Sequence, residues 1–284
     1  METREAFVKK FVDAVEPDSA QKALLTVDEE RMFRSMVEEN ALKFCRSFEP
    51  PLPTRVIYTA FVHFKRFYLN TSVLRYLNAK NVMTAIIYLA SKIEDAYIPL
   101  ETFVSKLKSG QPEDNIAMIK TLEPILIKRL RCHLVVYEPF TPLEGFYILL
   151  MQCFSEFSKR DRDIRVQSEK FLWNSIMTDA CLLYSPSQIA LAAIFAALKA
   201  VNMVEGFERL VAMVNRHGDA GKASRLIAKV HECHALVTGN PAVPPEFGTL
   251  IQKRINECVD FMNAVQATGI IHIGPDSELS SESD

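Results

Sequence analysis

Apolar positions along the chain recur every three to four residues far more often than every two. Val82, Ala85, Ile86, Leu89, Ala90 and Ile93, for example, fall on one face of a helix, and strand-like alternation is almost absent. Helix starts are marked by Thr26 with Glu29 three residues on, a capping-box pattern ahead of Met32, Phe33, Met36, Val37 and Phe44. Ser185-Pro186 is a second start, an N-cap with proline in the first turn. Pro99, Pro112 and Pro142 open further helical patterns, and Gly110, Gly218 and the stretch 239–245 separate them. These marks predict helices over about 54–69, 79–93, 99–108, 113–134 and 142–156, then 162–183, 186–201, 204–215, 219–238 and 246–264. A further amphipathic helix over about 3–15 carries a stripe of Phe7, Val8, Phe11 and Val12, which is expected to dock on its own domain.

The two sets of five have one rhythm, and their alanine-bearing helices align. Met83 to Lys92 laid over Ala190 to Lys199 pairs Ala85 with Ala192, Ile87 with Ile194, Ala90 with Ala197 and Lys92 with Lys199. Small side chains let neighbouring helices approach closely, so this helix is expected at the centre of each module, wrapped by the others. The fold expected is all-α, a tandem five-helix repeat with additional N- and C-terminal helices. In domains, 1–50 reads as an N-terminal helical extension, 51–158 and 159–240 as the two repeats, 241–270 as a C-terminal helix, and 271–284 as a disordered acidic tail.

Composition narrows the function. A chain of 284 residues with 49% hydrophobic content can bury two ordinary cores. Its 33 Lys plus Arg nearly cancel 35 Asp plus Glu, so the net charge of −2 gives no global field for a polyanion, and no direct nucleic-acid partner is expected. The six cysteines, Cys45, Cys132, Cys153, Cys181, Cys233 and Cys258, lie in apolar helical patterns without Cys-x-x-Cys spacing and read as reduced core residues. No stretch approaches the ~20 apolar residues of a membrane span, and the N-terminus lacks a signal peptide's apolar segment, so a soluble, non-secreted chain is expected and the Asn70-Thr71-Ser72 sequon carries no weight. His231-Glu232-Cys233-His234 lacks the His-Glu-x-x-His pattern and a second ligand cluster, so no metal is expected there. There is no phosphate-cradling glycine loop and no Gly-x-Ser-x-Gly; neither a catalytic residue nor a cofactor is expected.

Several stretches resemble the cyclin family. They are His63 to Leu69 (HFKRFYL), Ala90 to Asp95 (ASKIED), Tyr137 to Phe146 (YEPFTPLEGF) and, most specifically, Thr178 to Ala193 (TDACLLYSPSQIALAA). The resemblance runs over about 26–200 and implies a duplicated cyclin box and a regulatory, non-enzymatic subunit of a cyclin-dependent kinase. The first box would grip the kinase helix that carries the glutamate of the active-site Lys–Glu pair. It further implies a kinase partner of the CDK-activating class, a RING-finger assembly subunit and TFIIH, no membrane, and a nuclear location. Carried onto this chain, the family's kinase-contacting lysine and glutamate fall on Lys92 and Glu123, and its apolar contacts on Leu89, Ile93, Ile127 and Leu134.

Two residues depart from the family pattern. Cys132 stands where cyclins often place phenylalanine, and Pro124 directly follows Glu123, where a proline removes a backbone donor and costs about 3 kcal/mol unless the helix starts or kinks there. In the tail, Ser281 with Asp284 three residues on is a candidate phosphorylation site. The alternatives are another transcription-type cyclin with a different kinase and a TFIIB-like nucleic-acid-binding module, which uses the same duplicated fold and would need a basic face.

Overall fold

The computed structural model describes residues 4–15, 17–69, 71–215, 220–239 and 247–269. Gly218, Asn70, the segment 240–246, the acidic tail and Ser281 lie outside the described residues. The chain runs through α1 (Arg4–Ala14), α2 (Pro17–Ala23), α3 (Val27–Arg46), α4 (Thr54–Leu69), α5 (Ala79–Ile93), α6 (Leu100–Ser105) and α7 (Pro112–Arg129). It continues through α8 (Phe140–Cys153), α9 (Asp161–Ile176), α10 (Ala180–Leu183), α11 (Pro186–Ala200), α12 (Glu205–Val214), α13 (Ala220–Thr238) and α14 (Phe247–Ala267), with no strand among the described residues. The predicted capping box at Thr26 forms, and the predicted N-cap at Ser185 is a capping box as well: the Thr26 and Ser185 side chains accept from the amides of Glu29 and Gln188, whose side chains reach back to the cap amides.

Two helices stop five or more residues earlier than the sequence predicts. The helix expected over 162–183 breaks at Thr178, whose hydroxyl donates to the Ser175 carbonyl at 2.8 Å and accepts from the Ala180 amide at 3.2 Å, taking over bonds the helix would have used. The helix expected to reach 134 ends at Arg129, because Arg131 and Cys132 both turn left-handed, with φ of 53° and 58°. There the Cys132 amide donates to the Ile127 carbonyl at 3.0 Å and that of Arg131 to Lys128 at 2.9 Å, a Schellman ending. The alanine-bearing helices stop in the same way. In α5 the Ala96 amide reaches Ser91, with Asp95 left-handed, and in α11 the Met203 amide reaches Leu198, with Asn202 left-handed. Aspartate and asparagine tolerate that conformation better than most residues, which lets helices end there without glycine.

The chain divides into two compact units, one holding α1–α7 and α14, the other α8–α13. In the first, α5 is central and packs on α3, α4 and α7; every residue from Val82 to Ser91 is buried. Phe103 on α6 meets Tyr88 of α5 and Phe44 and Phe48 of the α3 end, with ring centroids 5.3–6.0 Å apart. A buried ion pair joins α3 to α4, the Lys65 ammonium bonding both Glu38 oxygens at 2.8 and 2.9 Å. The terminal helices close over the start of α3. Arg4 of α1 bonds Glu30 at 2.5 Å and the Leu25 carbonyl at 2.7 Å. Arg254 of α14 bonds Glu29 at 2.9 Å and the carbonyls of Lys22 and Leu24 at 3.2 and 3.3 Å. Phe7 and Phe11 are buried, with Phe11 6.3 Å from Phe261, so the apolar stripe of α1 packs inside its own unit; burying each ring contributes about 2–3 kcal/mol.

In the second unit α11 is central and packs on α8, α9 and α13. Gly206 opens α12 against the Phe157 ring so tightly that an added Cβ would lie 2.1 Å from it, which requires glycine there. The unit boundary falls between Val135 and Val136, whereas the sequence places it at 158. The difference is one of frame. Helix α3 packs on α5 as α8 packs on α11, so each repeat begins one helix earlier than its sequence rhythm suggests, with α3 and α4 ahead of the alanine-bearing helix in one and α8, α9 and the short α10 ahead of it in the other. Helix α14, a fifth member of the second set by rhythm, packs on α1, α2 and α3 of the first unit. Cys45, Cys233 and Cys258 are buried, but Cys132 is exposed, a correction that follows from its place in the left-handed turn after α7.

Candidate functional site

The last turn of α5 projects Lys92 toward α7, where its ammonium forms an ion pair with Glu123. The ammonium also sits 5.0 Å above the Tyr88 ring, a cation–π contact from one turn earlier on the same helix. Helix α7 runs unbroken through Pro124, which lies on its exposed side, so Glu123 keeps its helical register and reaches Lys92. The two side chains remain 34% and 20% exposed, enough for a partner to reach both. Partial burial holds the Lys92 ammonium below the ordinary lysine pKa. A lysine has three N–H donors and a carboxylate several lone-pair directions, so each retains capacity after meeting the other. The corner can therefore donate to free carbonyls at an element end and accept from free amides at once.

The apolar residues predicted beside this pair divide. Leu89 is fully buried core, whereas Ile93, Ile127 and Leu134 are half-buried. Leu134 owes its position to His63, a residue the sequence showed only as part of a family-like stretch. The buried imidazole Nε2 of His63 on α4 bonds the Leu134 carbonyl at 3.0 Å and fastens the segment after α7 to the core. Burial drives the His63 pKa down to about 4, so the ring is neutral at pH 7 and this nitrogen donates. Sequence reasoning also missed Tyr97 and Val135, large apolar side chains that are 69% and 70% exposed. Each follows shortly after a left-handed helix stop, at Asp95 and at Arg131–Cys132, and only those stops, which no glycine announces, turn them outward.

Elsewhere the chemistry is structural. His231 and His234 pack against the Phe195 ring, with centroids 4.6 and 5.1 Å away, and burial pushes the Cys233 thiol up to about 12. No group of three or more metal-ligating side chains occurs among the described residues, and no helix among them is long and apolar enough to cross a membrane.

The profile of the cyclin C-terminal domain matches residues 138–238, the span of α8–α13. Cyclin-H of Xenopus laevis is 31% identical over 225 residues, 78% of this chain and 68% of its own length. Cyclin-H1-1 of Arabidopsis thaliana is 29% identical over 226 residues, 75% of this chain and 63% of its own. Among solved structures, a chain of the CAK complex of Chaetomium thermophilum bound to ATP-γ-S matches with TM-score 0.74 at 20% identity, covering 99% of this chain and 90% of that one. A chain of the yeast TFIIK complex matches with TM-score 0.61 at 22% identity, covering 83% and 94%. These likenesses define a duplicated helical protein of the cyclin class. The chain belongs to the cyclin family, the regulatory subunits of cyclin-dependent kinases, and its relatives group it with cyclin H.

Proposed function

We propose that this chain binds and activates a cyclin-dependent kinase of the CDK-activating type, using the corner formed by Lys92 and Glu123 with Ile93, Ile127 and Leu134 around it. The observation that carries the reading is the pair itself. A lysine and a glutamate from two helices are brought together by the fold and left partly exposed, with half-buried Ile93 next to Lys92 in sequence and half-buried Ile127 one turn on from Glu123. That combination suits a protein interface with an apolar centre and a few oriented polar groups. The mechanism is conformational: docking shifts a kinase helix inward, assembles the kinase's Lys–Glu pair and favours an ordered activation loop, while catalysis stays with the partner.

The relatives support the partner class, since the two solved structures named above are chains of the CAK and TFIIK complexes. Substrates of the assembled kinase are then the activation loops of other cyclin-dependent kinases and the repeat tail of RNA polymerase II. A RING-finger assembly subunit, TFIIH and a nuclear location belong to the same proposal. The test is reconstitution with a purified kinase of that class, measuring affinity and phosphorylation of a second kinase's activation loop. A folded Lys92→Glu variant is expected to lose both; normal binding and activation by that variant would refute the site.

A further inference from the structure

The duplication lets the Lys92–Glu123 corner be compared with its counterpart in the second unit. Lys199 occupies the place of Lys92 on the central helix, and Phe195 that of Tyr88 one turn earlier. The left-handed stops follow at the same interval, Asp95 and Asn202. On the facing helix, Ile119 and Leu126 of α7 are fully buried seven residues apart with Glu123 between them. On α13, Val230 and Val237 are buried at the same spacing, and the residue four after Val230 is His234. The register therefore puts a histidine where the first unit has its glutamate, and the Lys199 charge is indeed felt at His234.

His234 cannot stand in for that carboxylate. Its ring stacks on Phe171, 5.9 Å away at 10°, and meets Phe195 edge-on. Burial, with the nearby charges of Lys199 and His231, holds its pKa below the ordinary value, so it is neutral at pH 7. Lys199 is exposed and makes no ion pair among the described residues. Of the carboxylates on α12 and α13, Glu232 is held by Lys229 at 2.7 Å, and Glu205 and Glu208 do not pair with Lys199. Beside this free ammonium, Phe195 is half-buried and His231 is exposed, with their rings 4.6 Å apart.

We infer that this corner of the second unit docks an acidic segment of a protein partner: one carboxylate pairs with Lys199 as Glu123 pairs with Lys92, and an adjacent apolar side chain lies on Phe195. A single ammonium is too weak a field for a nucleic-acid backbone, which needs several cations. An apolar ring next to one cation suits a carboxylate followed by an aliphatic residue. This inference does not depend on the kinase-facing site, which lies in the other unit.

The test uses the full chain and a fluorescein-labelled Glu-Glu-Leu-Glu-Glu-Leu peptide, with the same peptide carrying Gln for Glu as control. Anisotropy should show the glutamate peptide binding about tenfold more tightly than the control. Lys199→Glu should weaken it by about the same factor, and so should His234→Glu, which builds the missing carboxylate into the chain. Lys43→Glu, an equal change of charge at an exposed position of the other unit, should leave it unchanged, and the His231 and His234 imidazole signals should move on titration. Should Lys199→Glu or His234→Glu disturb the fold by circular dichroism, Lys199→Gln gives the same reading more gently. Equal binding of both peptides, or affinity retained in the Lys199 and His234 variants, overturns the inference. A Lys199-dependent dimer in sedimentation also overturns it, because the occupant is then a second copy of this chain.

Discussion

Exchanging the two charges of the Lys92–Glu123 pair separates its role inside the chain from its role toward a partner. Each single reversal, Lys92→Glu or Glu123→Lys, sets like charges against each other. At 34% and 20% exposure the internal pair is solvent-screened, so each single variant should lose only about 1 kcal/mol of stability. The double variant restores opposite charges, and its thermal midpoint should return close to the parent's. Recognition should not return with it, because the exchanged corner accepts where the partner accepts and donates where it donates. Mispairing a desolvated charge in an interface costs about 2–5 kcal/mol, or roughly thirtyfold to several thousandfold in affinity. Calorimetric titration of a purified CDK-activating-class kinase at fixed salt, run beside thermal unfolding, reads both quantities. A double variant that regains stability and binds the kinase as tightly as the parent would show the pair to be structural only and refute the reasoning.

Two further outcomes follow from the core. Lys65→Met strips the buried Glu38 of its ammonium and should cost about 3 kcal/mol in denaturant unfolding, while Lys65→Met with Glu38→Leu should recover most of it; equal losses in both would remove the ion pair from the account. His63, with a folded pKa of about 4 against 6.5 unfolded, stabilises the chain fully above pH 6.5, and that stability drains away as the pH falls toward 4 because the unfolded chain takes up the proton first. His63→Gln keeps a donor for the Leu134 carbonyl, so urea midpoints measured from pH 7 to 4 should fall less steeply than in the parent; parallel slopes would contradict the assignment.

The alanine-bearing helices were legible because close packing on several sides demands small residues, and that demand is written directly as composition. The frame of the repeat was not. Helix α3 announces itself through Thr26 and Glu29, yet nothing in its own sequence says that it packs on α5, so it read as an extension. The positions of Lys92 and Glu123 came from the family resemblance, and Pro124 stood as a departure directly after Glu123. The proline is tolerated because it faces outward, a property of the α7 surface that its sequence does not display. Thr178 has ordinary helical neighbours, and only the two bonds of its hydroxyl reveal the break. The ends of α5 and α11 were placed to within a residue, but the stop at Arg131 and Cys132 uses no glycine, so exposed Cys132 stayed hidden among apparently helical residues.

The closing of α14 over α1, α2 and α3 bears on how the chain is made. The first unit is discontinuous in sequence, since all of α8–α13 is synthesised between α7 and α14. At ordinary elongation rates α14 leaves the ribosome roughly ten seconds after α7. During that interval the carbonyls of Lys22 and Leu24 and the carboxylate of Glu29 wait without Arg254, and Phe11 without Phe261. The second unit, being continuous, is free to fold in the meantime. Biogenesis thus runs in the reverse of chain order: the unit begun first is sealed after the second, and the nascent protein displays an unfinished apolar surface until α14 arrives.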